Sequence, residues 1–335
     1  MLVLTKHEVE SLIDPDALRA AVAAALADLS AGRASMPTRI AAIVAERDAL
    51  LAAMPAYLPS ANALTTKLVS LFPRNTDRPT HQAVIVAFDA MTGTPAALMD
   101  GEAITAARTA AASALATDLL ARKDVARLVV IGTGVQARAH LRAVARVRRF
   151  RAIHVAGRDP QNAEALARAF ADDTHRRSDA GGPFPEIGVY ARIEQAVREA
   201  DVVCACTHSP DPVVRREWLR PGTHVNSVGY NTAGREVDEG TVADALVVVE
   251  SRAAALAPPP GGSNDLLWPI RDGRITAAHV HAELGEIVAG TRPGRTADGQ
   301  ITLYKSVGVA VEDAAAAALV LRVARERGVG KEIAI

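Results

Sequence analysis

Aromatic residues make up only 3% of this 335-residue chain, although hydrophobic residues make up 49%. Its core must therefore be built mainly from Ala, Val, Leu and Ile. An excess of one charge is also lacking. Lys+Arg and Asp+Glu stand at 38 each, so no global field draws the chain to nucleic acid or to an anionic membrane surface. No apolar run reaches the roughly 18–20 residues of a membrane span. The opening Met1-Leu-Val-Leu-Thr-Lys-His-Glu8 has no basic segment followed by an apolar one, so a secretory signal is not expected and a cytoplasmic location is. Cysteine is confined to Cys204 and Cys206, alternate residues on one face of a predicted strand. That spacing disfavours a disulfide and suits buried thiols. The length predicts two domains.

What is present is a strand, a glycine turn and a helix in direct succession. Residues 128–131 form a continuous apolar run, short enough for a strand buried on both faces. Gly132-Thr-Gly134-Val-Gln-Ala137 follows at once, and a helical pattern covers 137–147. In that context Gly132 permits the tight turn, Gly134 admits a pyrophosphate, and Ala137 lets helix and strand pack closely. The helix N-terminus adds unpaired N–H groups and a partial positive charge for phosphates. The motif thus predicts a dinucleotide site.

Before it, extended segments at 38–44, 48–57, 64–72 and 82–89, with a hairpin turn at 91–95, predict an antiparallel sheet. Asp14-Pro15 reads as cap and first residue of a helix to 30. An Ala-rich helix follows from 104 to about 122. After 125, strands and helices alternate, which predicts a doubly wound α/β domain. A surface loop is expected at 174–185 and a last helix at 310–327.

Three cations stand out in the N-terminal half. Arg39 and Lys67 lie in apolar extended segments, and Arg108 lies in an Ala/Thr helix. Each alone suits a snorkelling surface cation. Together, beside a nucleotide domain, they suit a small carboxylate: Arg offers a planar fork and Lys a transferable proton. After the second nucleotide-domain strand, Gly157-Arg158 stands where an acidic ribose ligand would favour NAD. NADP(H) is therefore favoured, with NAD(H) as the alternative should Asp159 take the ribose position. His279-Val-His281-Ala-Glu283 invites a metal reading, but a surface helix without a metal is the expectation. Trp268 is expected to serve packing.

The chain resembles the ornithine cyclodeaminase/μ-crystallin family. The resemblance is carried in order by Thr92-Gly-Thr-Pro95, Ile104-Thr-Ala-Ala-Arg-Thr-Ala-Ala-Ala112, Ile131 to Ala137, Val225-Asn-Ser-Val-Gly229, Arg235-Glu-Val-Asp238, Ala282-Glu-Leu-Gly285 and Ile301-Thr-Leu-Tyr-Lys-Ser-Val-Gly308. It implies a Rossmann-type dinucleotide-binding domain, 119–308, and an α+β substrate and dimerisation domain, 1–118, completed by 309–335. It also implies a small imino or amino acid as substrate, and a homodimer. Carried onto matching positions, it makes Arg39, Lys67, Arg108 and Val307 substrate contacts. Thr80, Arg108, Val135, Gln136, Thr207, Asn226, Ser227, Arg235 and Ser306 become cofactor contacts, alongside Gly132, Gly134, Gly157 and Arg158 from the motif and strand-end readings above. Lys67, Arg108 and Asn231 become the catalytic candidates.

Asn231 is also a departure, because the cyclodeaminases carry an aspartate shortly after the Val-Gly pair. The reading is an NAD(P)H-dependent reductase of a cyclic or secondary ketimine carboxylate, such as Δ1-pyrroline-2-carboxylate. The alternatives are ornithine cyclodeamination, an amino-acid dehydrogenase, or a non-catalytic small-ligand binder. Removing Arg108 or Lys67 is expected to abolish most turnover while leaving the chain folded.

Overall fold

The computed structural model describes residues 1–177, 185–258 and 261–334. The chain divides into two compact units, residues 1–109 with 308–335 and residues 110–307. The divisions between these units fall at 109/110 and 307/308. The first of them lies inside a continuous helix that sequence texture cannot divide.

The first unit opens with β1 (Leu2–Leu4), α1 (Lys6–Leu12), α2 (Pro15–Ser30), β2 (Ile40–Val44), β3 (Ala49–Leu58), β4 (Ala63–Leu71), β5 (His81–Phe88), β6 (Pro95–Asp100) and the N-terminal part of α3 (Gly101–Leu120). Thr5 and Glu8 form a capping box on α1. The Asp14 carboxylate accepts from Asp16 N and Ala17 N, with Pro15 as the first residue of α2. Each cap satisfies amides that the helix itself leaves unpaired.

The second unit contains β7 (Arg127–Ile131), α4 (Val135–Val144), β8 (Ala152–Ala156), α5 (Pro160–Arg177), β9 (Glu186–Tyr190), α6 (Ile193–Glu199), β10 (Val202–Ala205), β11 (His224–Ser227), α7 (Glu239–Asp244), β12 (Leu246–Val249), α8 (Arg252–Ala255), α9 (Asn264–Arg271), β13 (Val280–Glu283), α10 (Leu284–Val288) and β14 (Thr302–Lys305). The chain then returns to the first unit with α11 (Ala310–Arg327) and β15 (Lys331–Glu332).

The first unit is built on a sheet of order β15-β1-β6-β5-β4-β3-β2. Its β2-to-β6 run is the expected antiparallel meander. Along β4 the residues alternate, so Thr65, Lys67 and Val69 are all buried on one face, and α11 packs on β3 and β4. A lysine in that row requires a partner inside the unit.

The second unit is the doubly wound fold. Its sheet order is β13-β12-β14-β11-β10-β7-β8-β9, and every pairing in it is parallel. The two faces feed separate cores. Val129 and Ile131 of β7 join one cluster with Ala196 and Val197 of α6 and Leu266 of α9. Leu128 and Val130 join the other with Leu141 of α4 and Leu166 of α5. This two-sided burial is why β7 reads as an unbroken apolar run.

Two expectations need correction. The segment from His279 to Glu283 is not a surface helix: Ala277–His279 is one 3-10 turn, and Val280–Glu283 is strand β13, paired with β12. Four residues are too few for periodicity to separate helix from strand. His279 Nε2 lies 2.8 Å from Val242 O, and His281 Nε2 lies 2.9 Å from Pro293 O. The expected loop at 174–185 begins too early. Helix α5 continues through Arg177, with Thr174 Oγ1 donating to Phe170 O at 2.8 Å; residues 178–184 lie outside the described residues. Cys204 and Cys206 are free thiols. Burial pushes Cys204 up to about 12 and Cys206 well above its ordinary value, as expected of inert structural thiols.

Candidate active site

The first unit gathers Arg39, Lys67 and Arg108 around the N-terminus of α11. Lys67 is presented by β4 and is 3% exposed; Arg108 lies in the second turn of α3 and is 4% exposed. Their partners are Glu312 and Asp313 in the first turn of α11, both buried. Lys67 Nζ lies 2.7 Å from Asp313 Oδ2 and 3.5 Å from Thr105 Oγ1. Arg108 Nε donates to the other oxygen, Asp313 Oδ1, at 3.0 Å, and its Nη1 donates to Glu312 Oε2 at 2.7 Å. The positive end of the α11 dipole also favours acids in this turn.

Arg39, just ahead of β2, donates from Nη2 to Gly308 O at 2.9 Å. Gly308 has φ +71°, and a Cβ there would lie 2.7 Å from Arg108 Nη1 and Nη2. Only glycine allows the guanidinium to pack so close at that backbone conformation.

Burial pushes the Lys67 ammonium down to about 8; Asp313 opposes the shift, and Arg108 and Arg39 add to it. Burial alone would raise Asp313, but Arg108 and then Lys67 outweigh it and hold its carboxyl below the usual range. Across the sheet His81, at the start of β5, is also pushed down, by burial and then by Lys67. Thr80 is exposed, and its carbonyl accepts from Phe72 N at 2.8 Å where β4 joins β5.

In the second unit, β7 is flanked by β8 and β10. Strand order reverses there, at the point where doubly wound sheets bind ligands beyond the strand C-termini. Gly132 has φ +114°, and a Cβ on it would lie 2.5 Å from Cys206 O. That close approach joins the turn after β7 to the segment after β10. Gly134 caps α4, and the space a Cβ would take there is open. Val135 and Gln136 then form the first turn of α4, with Val135 exposed. An open glycine ahead of unpaired helix amides is the cradle a pyrophosphate requires, so these residues fit a dinucleotide.

Gly157 and Arg158 follow β8, beside this turn: the Cβ position of Gly157 lies 3.0 Å from Thr133 Cγ2, and Arg158 is exposed. Asp159 is committed to the start of α5, where Oδ1 accepts from Gln161 N at 2.9 Å and Oδ2 from Asn162 Nδ2 at 2.8 Å.

One carboxylate ties the remaining loops together. Glu236 Oε1 accepts from Thr207 N at 2.7 Å and from Thr207 Oγ1 at 2.8 Å. Its Oε2 accepts from Ser227 Oγ and Gly229 N, both at 2.8 Å. Asp265 Oδ1 in turn accepts from Glu236 N and Val237 N at 2.8 Å. Lys305 Nζ closes the network, 2.9 Å from Asp265 Oδ2, 3.0 Å from Ser227 Oγ and 2.8 Å from Gly229 O. Ser306 Oγ donates to Glu250 Oε1 at 2.5 Å, and Val307 N donates to Glu250 Oε2 at 3.1 Å.

Other candidates face elsewhere. Asn226 is fully buried, with Nδ2 donating to Thr117 Oγ1 at 2.9 Å. Arg235 stacks on Trp268, 5.8 Å from the ring centre, and lies 3.7 Å from Glu239. Asn231 ties its loop to the segment after β10: Nδ2 donates to His208 O at 3.0 Å, and Oδ1 accepts from Ala233 N at 2.8 Å. The sequence reading missed the buried charges that position these groups: Glu312 and Asp313 in the first unit, and Glu236, Glu250, Asp265 and Lys305 in the second.

Residues 1–328 match the profile of the ornithine cyclodeaminase/mu-crystallin family. The chain belongs to that family. Among family members, it is 35% identical over 337 residues to a Delta(1)-pyrroline-2-carboxylate reductase of Bacillus cereus, covering 99% of both chains. It is 37% identical over 303 residues to the ketimine reductase mu-crystallin of Mus musculus, covering 89% of this chain and 88% of that one. The structure of the Thermococcus litoralis Delta(1)-pyrroline-2-carboxylate reductase, in complex with NADH and L-proline, is 39% identical. It superposes with a TM-score of 0.92 over 99% of this chain and 100% of that one. Among the described residues, no helix is long and apolar enough to cross a membrane, and no group of three or more His, Cys, Asp or Glu is placed to hold a metal ion.

Proposed function

We propose that the chain is an NAD(P)H-dependent reductase of a cyclic ketimine carboxylate of the Δ1-pyrroline-2-carboxylate type, converting C=N to CH–NH. The observation that carries this reading is the cluster of Lys67, buried at 3% exposure, with Arg108 on a shared carboxylate and Arg39 held at Gly308; burial also pushes the Lys67 ammonium down to about 8. A carboxylate needs the guanidinium charges, and an imine nitrogen needs a proton donor whose affinity lies near working pH. Arg39 and Arg108 orient the carboxylate, Arg108 being held by the α11 acids and Arg39 by Gly308 O. Lys67 delivers the proton to the imine nitrogen. The nicotinamide supplies the hydride, and the turn from Gly132 to Gln136 with Thr207 and Ser227 would hold the dinucleotide.

Cyclodeamination of ornithine would need a further group to move protons at the α-nitrogen. An amide cannot take that role near neutral pH, and the Asn231 amide is engaged by His208 O after β10 and by Ala233 N.

NADPH is the preferred donor in this proposal, because Asp159 caps α5 and leaves Arg158 to meet a 2′-phosphate. A homodimer is proposed too, closed over the exposed apolar side chains Ile40 of β2, Leu51 of β3 and Val84 of β5, which share the sheet face opposite Lys67.

One assay series tests these statements. Reduction of Δ1-pyrroline-2-carboxylate is expected with both cofactors, with the higher kcat/KM for NADPH, and L-ornithine with NAD is expected to release negligible ammonia. Arg158→Ala should weaken NADPH by roughly 1–3 kcal/mol and leave NADH nearly unchanged. Light scattering in the same buffer should give twice the 35.1 kDa chain mass. Robust proline formation from ornithine would overturn the reductase reading. Equal kcat/KM for the two cofactors would overturn the NADPH preference, and a monomer mass would overturn the dimer.

A further inference from the structure

The acids at the start of α11 have no place in the reaction as set out so far, yet Asp313 touches both of its central cations. The Asp313 carboxylate is divided between them, Oδ2 at 2.7 Å from Lys67 Nζ and Oδ1 at 3.0 Å from Arg108 Nε. It is 1% exposed, on a helix that packs against the strand carrying Lys67. A buried carboxylate in that place fixes the direction of the ammonium and favours its charged form over the neutral amine.

We propose that Asp313 is a positioning residue for Lys67, holding the ammonium aimed and protonated so that it can deliver its proton to the imine nitrogen. This rests on the reductase reading above. Per turnover, hydride adds to the imine carbon, the C=N π bond becomes the new N–H bond with the Lys67 proton, and Lys67 takes a proton back from solvent. One reduced nicotinamide and one proton are consumed for each imine.

The charged groups acting on or coupled to Lys67 are Asp313 on α11, Arg108 on α3, Arg39 ahead of β2 and His81 on β5, with Glu312 of α11 set against Arg108. Glu312 is spent on Arg108. Burial, Arg108 and Arg39 all push Lys67 towards the neutral amine, and Asp313 is the carboxylate that opposes them. Without Asp313 those effects act together and favour the neutral amine further.

The test is the pH dependence of kcat/KM for NADPH-dependent reduction of Δ1-pyrroline-2-carboxylate by the full chain. Titration of the free imine is common to all variants and cancels in the comparison. For the native chain the rate should fall as pH rises through about 8, where Lys67 loses its proton. Asp313→Asn should move that fall to lower pH by about one unit or more. Asp313→Glu should return it close to its native position at a reduced rate. Lys67→Arg should be slow and, once the imine titration common to all variants is divided out, flat across this range, because a guanidinium stays charged.

A merely structural role predicts that Asp313→Asn lowers the rate equally at every pH, and that result overturns the proposal. Should Asp313→Asn fail to fold, the native chain and Lys67→Arg decide: a fall near pH 8 that persists in Lys67→Arg removes Lys67 as donor, and Asp313 with it. A native chain that reduces no ketimine at any pH refutes the function, which is a separate outcome from a profile that does not move.

Discussion

Arg108→Ala is expected to lose about 3–5 kcal/mol of folding stability as well as its activity. The guanidinium is 4% exposed, and it faces two carboxylates that are 0% and 1% exposed. Removing it leaves Glu312 without the Nη1 donor at 2.7 Å and Asp313 without the Nε donor at 3.0 Å. Buried charges stripped of a partner are among the costliest defects a point substitution makes. The sequence alone suggested an inactive but folded variant; the acids of α11 change that expectation. Urea melts of Arg108→Ala and of Arg108→Met combined with Glu312→Gln separate the causes. The double variant should recover much of the loss, since it removes one buried acid together with its base. A single variant within about 1 kcal/mol of the native chain would show that the pair adds nothing beyond an exposed ion pair.

Glu236→Ala should be the most damaging change in the second unit. It orphans four donors at once: two from Thr207, one from Ser227 and one from Gly229. Each buried donor left without a partner costs about 1–3 kcal/mol when water cannot replace it. Water entry will recover part of this, so a net loss of about 3 kcal/mol is expected. The segments after β10 and β11 share this one anchor. Reduced-cofactor affinity, followed by nicotinamide fluorescence, should therefore fall by about tenfold or more, equivalent to about 1.4 kcal/mol. A variant that melts lower yet binds NADPH as tightly as the native chain would show that Glu236 supports the fold and not the cofactor loops.

The second unit was legible because its signals are local. The apolar run of β7, the glycines after it and the helical pattern of α4 lie within 18 residues of one another, and each constrains the next. The Asp14 cap is local too. Lys67 and Arg108 stood out because cations in apolar surroundings are rare. Their partners lie more than 200 residues further on and sit in an Ala-rich helix where two adjacent acids look like ordinary solvent-facing residues. A signal did exist. The alternation of β4 places Lys67 in the same row as Thr65 and Val69, so an acid had to be sought, and Glu312-Asp313 stands between Val311 and a run of alanines. Glu236 and Lys305 lay inside motifs that drew attention for their neighbours, and nothing local reveals that their charges are buried. The stretch from His279 to Glu283 was misread because β13 is defined by its pairing with β12, information that four residues do not carry.

The division of the first unit between residues 1–109 and 308–335 has a consequence for the order in which the chain matures on the ribosome. Synthesis runs from the N-terminus, and domains fold as they emerge. The second unit, 110–307, is a continuous stretch and can close as soon as Val307 is clear. The first unit cannot: Lys67 and Arg108 are made early, but their counter-charges at 312 and 313 come later, and until then their burial is unfavourable. The segment made first is thus the one that settles last, held open by two cations awaiting α11. Nascent chains stalled with residue 307 just exposed should therefore resist protease through the second unit while the first 109 residues are cut. Equal protection of both segments at that length would show that the early sheet closes without its late helix.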